Sequence, residues 1–224
     1  WNVFAAPEFS TDLRTWCYPI AGCVSYRGYF SEDDARGFAA RLQDEGLDVY
    51  LGGVDAYSTL GWFEDSLLST VMDRDTHQLA GLIFHELAHQ LVYVPGDTTF
   101  NESFATAVER AGVSRWLRSN GQADLLERAQ QDRQRQQQFV ALVTDYRSQF
   151  ADLYEQELSA IDMRAAKSEL QNQMRADYER LRAQWNGYGG YDSWFDRSLN
   201  NAQLATVSSY NDLVPAFMAL LEEQ

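Results

Sequence analysis

Apolar residues recur at spacings of three and four through much of this chain, a rhythm that predicts a largely helical protein. Ala35 to about Glu45 alternates as an amphipathic helix, with Ser31-Glu32-Asp33-Asp34 as a capping-box-like start and Gly46 as its stop. Leu47 to Val54 reads as an apolar strand interrupted by Gly52-Gly53. Tyr57-Ser58-Thr59-Leu60-Gly61-Trp62 continues as a second, antiparallel edge strand, and residues 1–30 read as loop with short strand-like pieces. The apolar stretch around His85 to His89 reads as a helix that the Val94-Pro95-Gly96-Asp97-Thr98-Thr99 turn ends. A second helix follows from Phe100 to about Arg118. From Gln122 to about Trp185 there is no proline, and Phe139, Leu142, Val143, Tyr146, Phe150, Leu153 and Tyr154 mark one buried stripe. Ser159-Ala160-Ile161-Asp162 breaks that rhythm, so the region is predicted as two antiparallel helices, roughly 122–157 and 161–185. Within it, Gln130 to Gln138 reads as a solvated face. The fold class is α+β, mostly helical, with a small antiparallel sheet.

The chain has 224 residues, long enough to bury a core as a single domain. Hydrophobic residues make up 45% of it and aromatic ones 13%, which excludes general disorder. A net charge of −15 argues against nucleic acid or an anionic membrane surface as partner, and favours attraction of a peptide's amino end or basic side chains. No run is long and apolar enough to be a transmembrane segment.

Two of the three histidines fall in His85-Glu86-Leu87-Ala88-His89, the HExxH arrangement of zinc peptidases. Residues four apart share a helix face, so both imidazoles can reach one ion, and Glu86 projects beside it where it can take a proton from water. A catalytic zinc site also needs a third protein ligand and an open position. Glu102, in the first turn of the following helix, is placed to be that ligand, with one Zn²⁺ per chain. Glu109 lies two turns further along the same face and can hold a liganding histidine by a hydrogen bond, with Thr106 as a further supporting candidate.

HELAHQ followed by NESFATAVE resembles the gluzincin metallopeptidases, in which HExxH supplies two zinc ligands and an NExxx helix the third. The second segment is similar to the NEGFA helix of the aminopeptidase N-like enzymes, although their GxMEN element, whose glutamate holds the substrate's free amine, has no counterpart here. A closer resemblance, over almost the whole length, is to the bacterial family called predicted aminopeptidases. It is carried by WCYPIAGCVSYRGYFS, GLDVYLGGVDAYSTLGWFEDSLLS, HELAHQ, YGGYDSWF and NNAQLATVSSYNDLVPAF. The resemblance implies a zincin-like core over residues 1–121 with a peptide substrate. The helical hairpin read over 122–185 follows, and the C-terminal loop and helices over 186–224 complete the site. It also implies an envelope protein, periplasmic or outer-membrane-anchored and facing the periplasm, with any lipid anchor upstream of Trp1.

Zinc peptidases of this type place an edge strand beside the metal helix to pair with extended substrate. Tyr57, Ser58, Thr59, Leu60 and Gly61 are the candidates, against the alternative of a plain sheet-closing hairpin. The hairpin over 122–185 is either scaffold or a lid that narrows the cleft. The oxyanion of the reaction needs a second donor. His77 sits two turns before His85, so tyrosines lead: Tyr191 and Tyr188 in the Asn186-Gly187-Tyr188-Gly189-Gly190-Tyr191-Asp192 loop, with Tyr210 behind. Asn200 and Asn201 either cap the last helices or touch substrate. Cys17 and Cys23 either close a small loop as a disulfide, implying an oxidising compartment, or stay reduced in the cytosol. Two rival functions also fit the residues: hydrolysis of a non-peptide amide in the cell envelope, and an inert envelope adaptor that binds through the hairpin.

Overall fold

The computed structural model describes residues 1–18, 22–53, 71–72, 74–208 and 213–222. The chain forms two compact units, the first holding Trp1–Gly53 and Arg135–Ser208, the second Val54–Gln134 and Ser209–Gln224. Five strands and one helix come first: β1 (Asn2–Pro7), β2 (Trp16–Tyr18), β3 (Gly22–Val24), β4 (Arg27–Gly28), α1 (Glu32–Asp44) and β5 (Leu47–Gly52). The later described elements are helices: α2 (Thr76–Leu91), α3 (Thr98–Ser119), α4 (Ala123–Tyr154), α5 (Ala160–Gln184), α6 (Asp192–Phe195), α7 (Asn201–Ser208) and α8 (Val214–Glu222). The mostly helical α+β class is observed. The edge strand expected over Tyr57, Ser58, Thr59, Leu60 and Gly61 lies outside the described residues, as does Tyr210.

In the first unit the sheet runs β4-β1-β5, all antiparallel, with Ala5 opposite Val49. Alternation along β1 turns Val3 and Ala5 onto α1, whose Ala35, Phe38, Ala39 and Leu42 recur at helical spacing and meet Val49 of β5. The Ser31 hydroxyl accepts the Asp34 N–H and caps α1. Gly46, at φ +82°, lets the chain turn into β5. The outer edge of β5 is covered by side chains. Asn200 Nδ2 donates to Val49 O at 2.9 Å and Arg197 Nη1 to Leu51 O at 3.0 Å. β2 and β3 pair with Cys17 opposite Cys23, and a disulfide joins the two.

The hairpin forms close to the expected boundaries, with Ser159 accepting the Asp162 N–H at the start of α5. Phe139, Val143, Tyr146 and Phe150 of α4 pack on Met174 and Tyr178 of α5. Trp185 Nε1 donates to Gln138 and the Tyr146 hydroxyl to Asp177, which sets the antiparallel register. The Gln130–Gln138 run is not wholly a solvated face, because Asp132, Arg133 and Gln138 are half-buried and bonded.

In the second unit α2 and α3 pack antiparallel, and the first turns of α4 lay Ala129 against Val113 and Leu117 of α3. His77, 5% exposed, sets Nε2 against the Asp132 carboxylate at 3.2 Å, and Arg133 donates to Arg110 O and the Ser114 hydroxyl. Phe217 of α8 meets Phe100 and Phe104 of α3 edge-on.

One buried polar network ties the first unit together. Lys167 Nζ donates to Glu8 O and to Asp48 Oδ2, both at 2.7 Å. The same Asp48 oxygen accepts the Asn201 N–H, and Asn201 Nδ2 donates to Pro7 O and Glu8 O. Asn200 accepts the Gln203 N–H and caps α7, so both asparagines have structural partners. Removing the amine leaves the half-buried Asp48 carboxylate with the Asn201 N–H but without its countercharge. Lys167→Ala is expected to cost about 3 kcal/mol in urea unfolding; a loss under about 1 kcal/mol would show the pair to behave as a surface bridge.

Candidate metal centre

The two helices that carry the HExxH and glutamate segments are joined by a short, tightly held turn. α2 ends where Val92 becomes extended (φ −138°, ψ 120°), and Gly96, at φ +84°, reverses the chain. Asp97 caps α3 by accepting the Phe100 N–H at 2.9 Å. Asn101 then clamps the turn from both sides. Its Oδ1 accepts the Val94 N–H at 2.7 Å and its Nδ2 donates to Val94 O at 2.8 Å. It is 3% exposed and immediately precedes Glu102.

Glycine on each helix allows the close crossing. A Cβ at Gly112 of α3 would stand 2.9 Å from the Phe84 ring, and one at Gly81 of α2 would stand 3.2 Å from a Glu109 carboxylate oxygen. Neither contact is compatible with a side chain unless its neighbour moves.

This packing brings His85, His89 and Glu102 together, with one ligand atom of each within 4.8 Å of the others. His85 Nε2 is 3.3 Å from Glu102 Oε2, and His89 Nε2 is 3.8 Å from Glu102 Oε1. Ligands about 2.1 Å from one tetrahedral ion stand about 3.4 Å apart, so this spacing and two-nitrogen, one-carboxylate donor set fit a divalent metal. On its other side, His85 Nδ1 lies 3.3 Å from Glu109 Oε2. Glu109 thus steadies the ring from that side while Nε2 faces Glu102. Thr106 is buried on α3 one turn beyond Glu102. Glu86 is half-buried on α2, next in sequence to His85.

The electrostatics of the two histidines differ. Burial disfavours a charged imidazole at His85, but hydrogen bonds to Glu102 and Glu109 outweigh it and raise its pKa to about 9. For His89 burial dominates and lowers the pKa. His89 Nδ1 has no hydrogen-bond partner among the described residues.

Tyr188 and Tyr191 belong to the first unit, where their described contacts lie. The Tyr191 ring stacks on Phe139 at 4.1 Å, and Tyr188 lies edge-on to Trp185 with the Arg135 guanidinium 4.3 Å over its ring. His77 is occupied by Asp132. Sequence reasoning missed the structural part of Asn101, Gly81 and Gly112. The signals were present as an amide beside the ligand glutamate and one glycine on each facing helix.

Two outcomes follow from this geometry. Glu109→Gln and Gly81→Ala are each expected to weaken metal binding about 10- to 100-fold by releasing or displacing the support of His85. Competition against a chromophoric chelator measures this, and unchanged affinity in both variants would remove Glu109 from the site. In the metal-free protein, His85 contributes stability fully below its unfolded pKa of about 6.5 and loses it as pH rises through about 9. Metal must displace that proton, so apparent affinity should rise about tenfold per pH unit between these limits, with about one proton released per ion in calorimetry. Affinity independent of pH would contradict the His85 assignment.

A family model described as "Putative aminopeptidase" matches residues 1–224. No curated protein and no solved structure matches the chain. The match spans both units, the paired helices of the candidate metal centre included, and the chain therefore belongs to the putative aminopeptidase family.

Proposed function

We propose that the protein is a zinc-dependent peptidase of the gluzincin type, built on a zincin-like pair of helices and acting as an aminopeptidase. The observation that carries this reading is the convergence of His85, His89 and Glu102 within 4.8 Å, with Glu86 on the same helix as both histidines. A structural metal site would not need a carboxylate at that position, whereas a hydrolytic one needs a base. His85, His89 and Glu102 hold the ion, and Glu109 fixes the His85 tautomer through Nδ1. When bound, zinc supplies Lewis acidity toward water and the scissile carbonyl. Glu86 takes the proton of the attacking water and passes it to the leaving amine. The net charge of −15 favours approach of a peptide's positively charged end.

The Cys17–Cys23 disulfide supports an oxidising compartment, and with the bacterial resemblance this favours the periplasm.

Glu86→Gln is expected to retain wild-type zinc content and to lose at least about 100-fold in kcat on peptide substrates. Elemental analysis and a fluorogenic peptide panel read the two quantities separately. Undiminished hydrolysis by zinc-loaded Glu86→Gln would sink the mechanism. A wild-type protein that takes up no zinc when zinc is supplied would sink the whole reading.

A further inference from the structure

We infer that a cleft in the first unit, walled by Trp1, Arg36, Tyr50 and Arg197, binds an organic carboxylate carried on an aromatic or apolar body. The cleft shares no residue with the candidate metal centre, so the inference does not rest on the peptidase reading. The cleft has a volume of about 410 Å³, with Val49 and Leu51 of β5 also contributing to its walls. Its described lining contains two guanidinium groups and no carboxylate, in a chain whose net charge is −15.

Both arginines are exposed, and each has a partner within the unit. Arg197 Nη1 donates to Leu51 O at 3.0 Å, and its guanidinium carbon lies 5.2 Å from the centre of the Tyr50 ring. That leaves Nε and Nη2 as a forked pair of donors, the geometry that matches the two oxygens of a carboxylate. Glu8 and Arg164 show the same fork elsewhere in this unit, at 2.7 and 2.8 Å. Arg36 donates from Nε to Glu32 at 2.8 Å, and its Nη2 reaches the same oxygen. Glu32 is therefore an internal competitor at one edge of Arg36, with Nη1 remaining.

The rings select the body of the ligand. Gly52 leaves room for the Tyr50 ring, which a Cβ at that position would approach to 3.2 Å. Tyr50 and Trp1 thereby present aromatic walls beside the cations. An exposed ion pair alone contributes little, so recognition requires the rings as well as the charges. Because Arg197 is already anchored, less side-chain freedom is lost when a ligand binds.

The test follows the Nε–H signals of Arg36 and Arg197 by NMR in the full chain, titrated with N-acetyl-phenylalanine, with its amide, and with inorganic phosphate. The acid is expected to shift both signals saturably, the amide to leave them in place, and phosphate to bind at least about fivefold more weakly because it does not cover the rings. Arg197→Gln and Arg36→Gln should each weaken binding of the acid at least about fivefold, while Glu32→Gln should tighten it. Carboxylate binding at the metal centre would need added metal and would survive both arginine substitutions, so the two sites are read apart. Equal binding of acid and amide, phosphate binding as tightly as the acid, or undiminished acid binding in both arginine variants would overturn the proposal. Amide spectra of each variant verify that it is folded.

Discussion

Side chains from two helices can converge on one point only where the backbones come close, and α2 and α3 meet that condition beside Gly81 and Gly112. A Cβ at Gly112 would collide with the Phe84 ring, and one at Gly81 would press on the Glu109 carboxylate. The approach is then locked by Asn101, which bonds both backbone groups of Val94 and holds the turn at a fixed length. Glu102 follows Asn101 directly, so the clamp that shapes the turn also sets the start of the helix face that carries the third member of the donor group. A longer or looser turn would permit the two helices to slide, and the 3.3 Å spacing between His85 and Glu102 would go with it.

The centre is unsymmetrical by design of its charges. His85 lies between two carboxylates, Glu102 on the metal side and Glu109 on the other, and together they favour its protonated form when no metal is present. At His89 no second carboxylate offsets desolvation, and burial lowers its pKa. A metal ion binding here would displace the His85 proton to solvent. A metal cation would take over the role that the His85 proton plays toward the two carboxylates, which gives the acidic surroundings a physical reason.

The first unit is held by a different kind of interaction. Its sheet is small, and the buried Lys167–Asp48 pair with the Asn201 amide fastens the sheet to the hairpin and to α7. Glycines at 189 and 190 serve packing there. A Cβ at Gly189 would meet the Asp192 carboxylate, which accepts the Tyr178 hydroxyl, and one at Gly190 would meet the Tyr188 ring. The Gly-Tyr-Gly-Gly-Tyr loop thus owes its composition to close packing of aromatic side chains around α6.

The sequence by itself determined the elements and the chemistry that follow from local periodicity. Apolar spacing marked α1, α2, α3 and the α4–α5 hairpin, because a helix writes its buried face into the chain every three to four residues. The HExxH spacing put two imidazoles on one face of α2, and the Pro-Gly turn placed a glutamate opposite them. Only the tertiary structure decided which neighbours complete those groups. Nothing in the local pattern of His77 or Asp132 says that they pair across 55 residues, or that Lys167 reaches Asp48 across 119. The roles of Gly81, Gly112 and Asn101 were hidden for the same reason. Their importance lies in what a missing Cβ or an amide meets on another helix, and that distance exists only once the chain has folded.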